Sequence, residues 1–409
     1  MITSPRSRWA AVVAVTVGIF AIVTTEILPI GLLNPIAGDF GLAAGTAGWT
    51  MTVPGFVAAV AAPVVTVGTG RLDRRTMLAA LMLLLAVAGF LAAAAPTFAV
   101  LLVARFLVGL VIGGFWSIGS GLAPRLVGTA AAGRATSVIF SAVPLGSVLG
   151  VPLGTLVGQL AGWRTAFLVL GLLALATAAA LRLVTPPLPA TGATRATVLK
   201  GLLTRRGVRS GLAVTFLVVL AHFGTYTYIT PLLRDVVRPE VLSGYLLVYG
   251  AAGIAGTFLA GMNRLNFTTA AILIALATVL LPHAGPIGAL ALLVVWGVAY
   301  GAVPVCSQAW FARAAPDAPE AATVLFTASF QATISAGALA GGFVVDAVSL
   351  PAVMTAGGVV ALAGAAVVQG ARRTGAPARS ARGISATSST TSSSRARSSA
   401  DAVESSSTE

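Results

Sequence analysis

The stretch FAVLLVARFLVGLVIGGFW, residues 98–116, carries a single charge, Arg105. As an α-helix rising 1.5 Å per residue it reaches across a hydrocarbon core about 30 Å thick. A segment so apolar and so long is stable in lipid, where a helix satisfies its own backbone donors and acceptors. Working outward, comparable uncharged runs fall near 9–36, 46–69, 77–95, 98–122, 135–160, 165–184, 210–232, 241–261, 267–282, 285–311, 321–345 and 350–370. The ninth is the shortest. The first is too long for a signal-peptide core and shows no small-residue cleavage site, so it reads as a retained helix. The expected fold class is therefore an all-α polytopic membrane protein with twelve transmembrane helices.

The composition of the 409 residues agrees. Hydrophobic residues make up 57% and charged residues 9%, with a mean hydropathy of +0.97; soluble domains carry about 25% charge. Cys306 is the only cysteine, which excludes an internal disulfide and a structural zinc site. His222 and His283 lie far apart without ligand spacing. Lys200, the only lysine, stands between Leu199 and Gly201, so the chain has no Gly-Lys-Ser/Thr phosphate loop. No metal, no cofactor and no catalytic residue is expected, and an enzyme is not: no nucleophile–base pair lies inside any span.

The formal charge of +14 is topogenic. If the N-terminus lies inside, the inner segments hold all 25 basic residues except Arg105 within a span and Arg164, Arg234 and Arg238 outside. This positive-inside bias predicts cytoplasmic termini, a multi-pass protein of a bacterial cytoplasmic membrane, and no nucleic-acid partner. The residues divide into a six-helix bundle at 1–184, a cytoplasmic linker at 185–209 opening on Thr185-Pro186-Pro187, a second six-helix bundle at 210–371, and a Ser/Arg-rich tail at 372–409 expected to be disordered. Gly109-x-x-x-Gly113 in the fourth span has a counterpart in Gly297-x-x-x-Gly301 of the tenth. The glycine-rich fifth span, Gly146 to Gly154, has one in Gly337 to Gly342. Matching positions in two halves suit a transporter built from repeats.

Among eleven acidic residues only Glu26, in Thr24-Thr25-Glu26-Ile27-Leu28-Pro29, lies well inside a span. A carboxylate there costs several kcal/mol unless it is paired, hydrated or protonated. Arg105 is its basic counterpart. Counting from the outer ends of their spans places Glu26 roughly 10–15 Å deep and Arg105 roughly 12 Å deep. The two can share one depth, either as a proton-coupling and substrate site or as a static pair holding two helices together. Trp116 falls on the Arg105 face of its helix. His222 with Tyr226, Gln308, and Gln331 with Thr327 and Ser335 are further intramembrane polar groups. Each is a candidate to line a substrate cavity or to bond between helices.

Three stretches carry a family resemblance. Gly70-Arg71-Leu72-Asp73-Arg74-Arg75 resembles the loop signature of the major facilitator superfamily, Ala104-Arg105 with Gly109 and Gly113 its fourth-span arginine motif, and Gly146-x-x-x-Gly150-Val151-Pro152-Leu153-Gly154 its fifth-span antiporter motif. With Gly114-Phe115-Trp116 and Gly162-Trp163-Arg164, the chain is most similar to the twelve-span drug/proton antiporters, and among these to exporters of purine ribonucleosides, sugars and drugs. The resemblance spans about residues 9–370. It implies two pseudo-symmetric bundles (the major facilitator fold), alternating access and a monomer. It also implies export of a small organic molecule in exchange for protons, with Glu26 and Arg105 in coupling. Asp73, Arg74 and Arg75 would form a conformational latch, and Gly146, Gly150, Pro152 and Gly154 a hinge. The loop signature is shortened here, with Thr69 where its leading glycine belongs.

Overall fold

The computed structural model describes residues 5–68, 72–119, 122–189, 196–262 and 264–374. Twelve long helices follow one another: α1 (Pro5–Phe40), α2 (Trp49–Gly68), α3 (Arg74–Ala93), α4 (Phe98–Gly119), α5 (Ala132–Ala161), α6 (Trp163–Val184), α7 (Arg206–Tyr226), α8 (Pro239–Gly261), α9 (Phe267–Leu280), α10 (Pro286–Ala314), α11 (Pro319–Ala347) and α12 (Leu350–Thr374). Eleven are long and apolar enough to cross a membrane; α9 and its short extension to His283 form the shorter twelfth. Large apolar side chains such as Leu160, Leu183, Phe258 and Val359 stand exposed on the outside, as they do where the solvent is lipid.

Two boundaries differ from the sequence reading. The seventh span, expected as one run over 210–232, breaks into α7 and a short helix, Ile229–Arg234. Pro231 has no N–H to offer the Thr227 carbonyl, so the first helix cannot run on unbroken. The linker at 185–209 contains a helix of its own, Ala196–Leu203, and α7 begins inside the expected linker at Arg206. Residues 190–195 of the linker and the tail beyond Thr374 lie outside the described residues.

Glycine contacts reveal the internal repeat. Gly146, Gly150 and Gly154 line one face of α5 and receive Val23, Ile27 and Leu28 of α1. Six helices later, Gly337 and Gly341 of α11 lie against Leu220 and Gly224 of α7. Gly109 and Gly113 of α4 meet the α2 backbone at Pro54 and Ala58, and Gly297 and Gly301 of α10 meet the α8 backbone at Tyr249 and Gly253. Gly89 of α3 rests on Gly171 of α6, and Gly358 of α12 on Val279 of α9. The pairing 1–5, 2–4, 3–6 thus returns as 7–11, 8–10, 9–12. Small residues serve here because packing, not water, holds membrane helices together.

One junction needs glycine for its backbone. Gly162 turns α5 into α6 at a φ of 83°, a conformation open to glycine at little cost. The corner is closed by Trp163, whose ring lies under the Arg164 guanidinium, while Arg164 pairs with Asp39 at 2.5 Å.

A stability prediction follows from the α8–α10 contact. A methyl group at Gly301 would overlap the Gly253 carbonyl oxygen. Alanine gains about 1 kcal/mol of helix propensity over glycine, but overpacking against a backbone atom costs about 1–3 kcal/mol or more. Gly301→Ala should lower the thermal midpoint and the monodisperse yield in size-exclusion chromatography. Gly261→Ala, whose Cβ meets open space, should do neither.

Candidate functional site

Three prolines shape the site. Pro29 and Pro35 interrupt α1, and Pro54 interrupts α2. Each lacks an N–H, so the carbonyls of Thr25, Gly31 and Thr50, four residues earlier, lose their intrahelical donors. In lipid such carbonyls need other partners. Thr155 of α5 donates its hydroxyl to the Gly31 oxygen at 3.2 Å. Arg105 supplies both of the others: its Nε donates to the Thr50 oxygen at 2.7 Å and its Nη1 to the Thr25 oxygen at 2.8 Å. Its Nη2 donates to the Glu26 carbonyl at 2.9 Å. The guanidinium is fully buried at 0% exposure. It knits α1, α2 and α4 together through their backbones.

Glu26 and Arg105 do lie side by side, as their depths predicted, yet the carboxylate does not take the guanidinium. Within 4.0 Å, the ion pairs among the described residues are Arg164–Asp39 and Arg205–Asp317. The Glu26 side chain, 8% exposed, turns to the opposite half of the molecule. Its Oε1 accepts a hydrogen bond from Nε2 of Gln331 on α11 at 3.0 Å. The site is thus a carboxylate on one half facing an amide on the other, with Arg105 fixing the carboxylate's own backbone.

The remaining candidates fall into two groups. His222 and Tyr226 belong to a closed aromatic cluster of the second half. The His222 ring stacks on Tyr300 with centroids 3.3 Å apart, Tyr226 stacks at 5.1 Å, and Trp296 Nε1 donates to His222 Nδ1 at 3.1 Å. Both residues are buried, so they back the half-buried Tyr300 as a rigid wall. Gln308 and Trp116 are not drawn into the Glu26 cluster. Gln308 is exposed about two turns along α10 from Tyr300 toward the linker end, and Trp116 is half-buried against the apolar core of the first half. Tyr300 was missed by the sequence reading, and its signal was the i, i+4 spacing from Trp296, which puts both rings on one face of α10.

The loop residues hold to their own half. Asp73 caps α3, with Oδ1 accepting from the Thr76 N–H at 3.1 Å and Oδ2 from the Leu188 N–H at 2.6 Å. The Arg75 guanidinium donates to the Arg182 carbonyl, and the Arg74 N–H donates to the Leu188 carbonyl at 2.8 Å. Asp73 and Arg75 therefore anchor the loop to the end of α6 and the start of the linker.

A run of contacts joins the halves from the Glu26 level to the end remote from the linker. Gly55 of α2 lies against Gln331 and Ser335. Thr230 donates to the Ile30 carbonyl at 2.9 Å, Gln159 to the Pro239 carbonyl at 2.6 Å, and the Gly45 N–H to Asp346 Oδ1 at 2.8 Å. Tyr228 sits over Gly48 and Gly342 and donates to the Ala338 carbonyl at 2.7 Å. Among the described residues in these contacts, Asp346 is the charged group. Asp346→Ala removes a charged acceptor worth about 1.5–3 kcal/mol, so cross-linking of cysteines placed at Ala44 and Val345 should fall by roughly 10- to 100-fold at equal reaction time.

Residues 13–326 match the sequence profile of the Major Facilitator Superfamily. The chain belongs to that superfamily. A Pseudomonas aeruginosa protein of 35% identity, named transcription regulatory protein OpdE, aligns over 90% of this chain and 95% of its own length. The purine ribonucleoside efflux pump NepI of Salmonella paratyphi A is 32% identical over 83% of this chain and 88% of its own. Among solved structures, a bacterial homologue of the human lysosomal transporter Spinster, inward-facing and unoccupied, aligns with a TM-score of 0.73 at 16% identity, covering 91% of this chain and 98% of that one. The human organic anion transporter MFSD10 aligns with a TM-score of 0.66 at 15% identity, covering 90% and 100%. This Major Facilitator Superfamily member is a multi-pass integral membrane transporter of small molecules, and not an enzyme.

Proposed function

We propose that the transporter exports a small organic molecule in exchange for protons, with a purine ribonucleoside as the first substrate to test, ahead of sugars and drug-like compounds. The observation that carries this reading is the Glu26–Gln331 hydrogen bond. It joins a buried carboxylate of one half to an amide of the other, at the level where the halves must part when access alternates. The relationship to NepI supports the substrate class. The two bundles at 1–184 and 210–371 are the rocking units, and the chain works as a monomer in the bacterial cytoplasmic membrane with both termini inside. In this reading the seal around Asp346 and Tyr228 closes the outer side.

In this cycle Glu26 releases its proton inward while substrate enters between the halves and takes over the Gln331 amide, with Tyr300 as a planar surface for a ring. Rocking opens the outer seal. Substrate leaves, and Glu26 takes up a proton from outside, which returns the halves to the present arrangement. Inverted vesicles with an acid interior should accumulate labelled inosine, a pentose or a cationic dye, and an uncoupler should abolish the uptake. Uptake indifferent to the gradient would point to a facilitator. No uptake of any compound would favour a sensor, a reading that the name of the Pseudomonas relative brings into play.

A further inference from the structure

Toward the linker end, α7 and α12 part. They touch where Gly364 meets Leu217 and Val218. Below that point a crevice of about 570 Å³ opens between them, lined by Arg206, Arg209, Ser210, Ala213 and Val367. Positions 206, 209, 210 and 213 form one stripe of α7. Its basic residues lie in the first turn and its alanine one turn deeper. Ala213 and Val367 are exposed on the membrane side.

Among the described residues, no acidic side chain lines this crevice. Arg205, one residue earlier, is spent on Asp317 through two hydrogen bonds of 2.5 and 2.6 Å. That bond pulls the Asp317 carboxyl down to about 2. The Arg206 and Arg209 guanidinium groups have no hydrogen bond or ion pair among the described residues, and α7 has no acidic residue in its first turn. The positive end of the helix dipole adds to the two guanidinium groups instead of opposing them.

We infer that this crevice holds the headgroup of an anionic phospholipid from the linker-side leaflet. The phosphate sits between Arg206 and Arg209 with the Ser210 hydroxyl as a donor, and an acyl chain lies along Ala213 and Val367. Guanidinium groups pair with phosphate through paired N–H donors. Basic pockets between membrane helices at headgroup depth suit such lipids. The apolar floor, open to the membrane side, favours a bilayer lipid over a soluble phosphate.

The test is native mass spectrometry of the full chain in detergent, titrated with phosphatidylglycerol and with phosphatidylethanolamine. Phosphatidylglycerol should bind preferentially, and Arg206→Gln/Arg209→Gln should bind it roughly 30-fold more weakly, the loss of two surface arginine–phosphate attractions. Arg234→Gln/Arg238→Gln, which removes equal charge at the other end, should bind as the wild type does. If the double glutamine variant fails to fold, Arg209→Gln alone compared with Arg209→Lys reads the same contrast. Equal affinity in wild type and the crevice variant overturns the assignment. So does equal binding of the zwitterionic lipid, and so does displacement by glycerol 3-phosphate at comparable concentration, which would mark a soluble-phosphate site.

Discussion

Inverted vesicles carrying Glu26→Gln are expected to lose gradient-driven accumulation of substrate while still exchanging labelled for unlabelled substrate. The expectation rests on separating two roles of the side chain. Glutamine has nearly the shape of a protonated glutamate and keeps an oxygen to accept from Gln331 Nε2, now 3.0 Å from Glu26 Oε1. The neighbours of residue 26 therefore stay in place, and the halves can rock between states with substrate bound. What glutamine cannot do is unload a proton. A gradient of 2 pH units stores about 2.7 kcal/mol per proton, enough for roughly 100-fold accumulation in one-for-one exchange. That ratio should fall to one in the variant. Full accumulation by Glu26→Gln would remove Glu26 from the coupling mechanism. Loss of exchange as well, with a normal thermal midpoint, would make the residue a substrate contact instead of a proton carrier.

Most of the fold was legible in the sequence because lipid imposes a simple rule on length and apolarity, and the matching glycine spacings pointed to the repeat. Gly109 with Gly113 and Gly297 with Gly301 occupy equivalent places at α2–α4 and α8–α10. The site was only half legible. Counting residues brought Glu26 and Arg105 to one depth, but helix-wheel arithmetic says nothing about which partner a side chain selects. Gln331 lies 305 residues from Glu26 and Asp346 lies 301 from Gly45. No local pattern links positions so far apart; only the packing of one half on the other does. The break after Tyr226 had a readable cause in Pro231, outweighed in the hydropathy pattern by an apolar run that continues past it.

The prolines also decide the second large prediction, which concerns Arg105. Its three hydrogen bonds end on main-chain oxygens, and two of these, Thr25 and Thr50, are carbonyls that Pro29 and Pro54 leave without donors. Arg105→Leu strands both in a buried setting, at about 1–3 kcal/mol each. Part of this is offset because the variant no longer desolvates a charge. A net loss on the order of 2–4 kcal/mol is expected, read as a drop in thermal midpoint. Arg105→Lys should do no better despite keeping the charge. A single ammonium cannot reach oxygens on two helices in the geometry of a planar fork, yet it still bears the cost of burial. A double-mutant cycle isolates the cause. In a Pro29→Ala/Pro54→Ala background the alanine N–H groups can close the α1 and α2 ladders, so the Thr25 and Thr50 carbonyls no longer depend on Arg105. There Arg105→Leu should cost less by about 1–3 kcal/mol, the coupling energy of groups in direct contact. Equal costs in the two backgrounds would mean that the arginine holds the bundle by its charge and packing, and that the orphaned carbonyls are satisfied in another way.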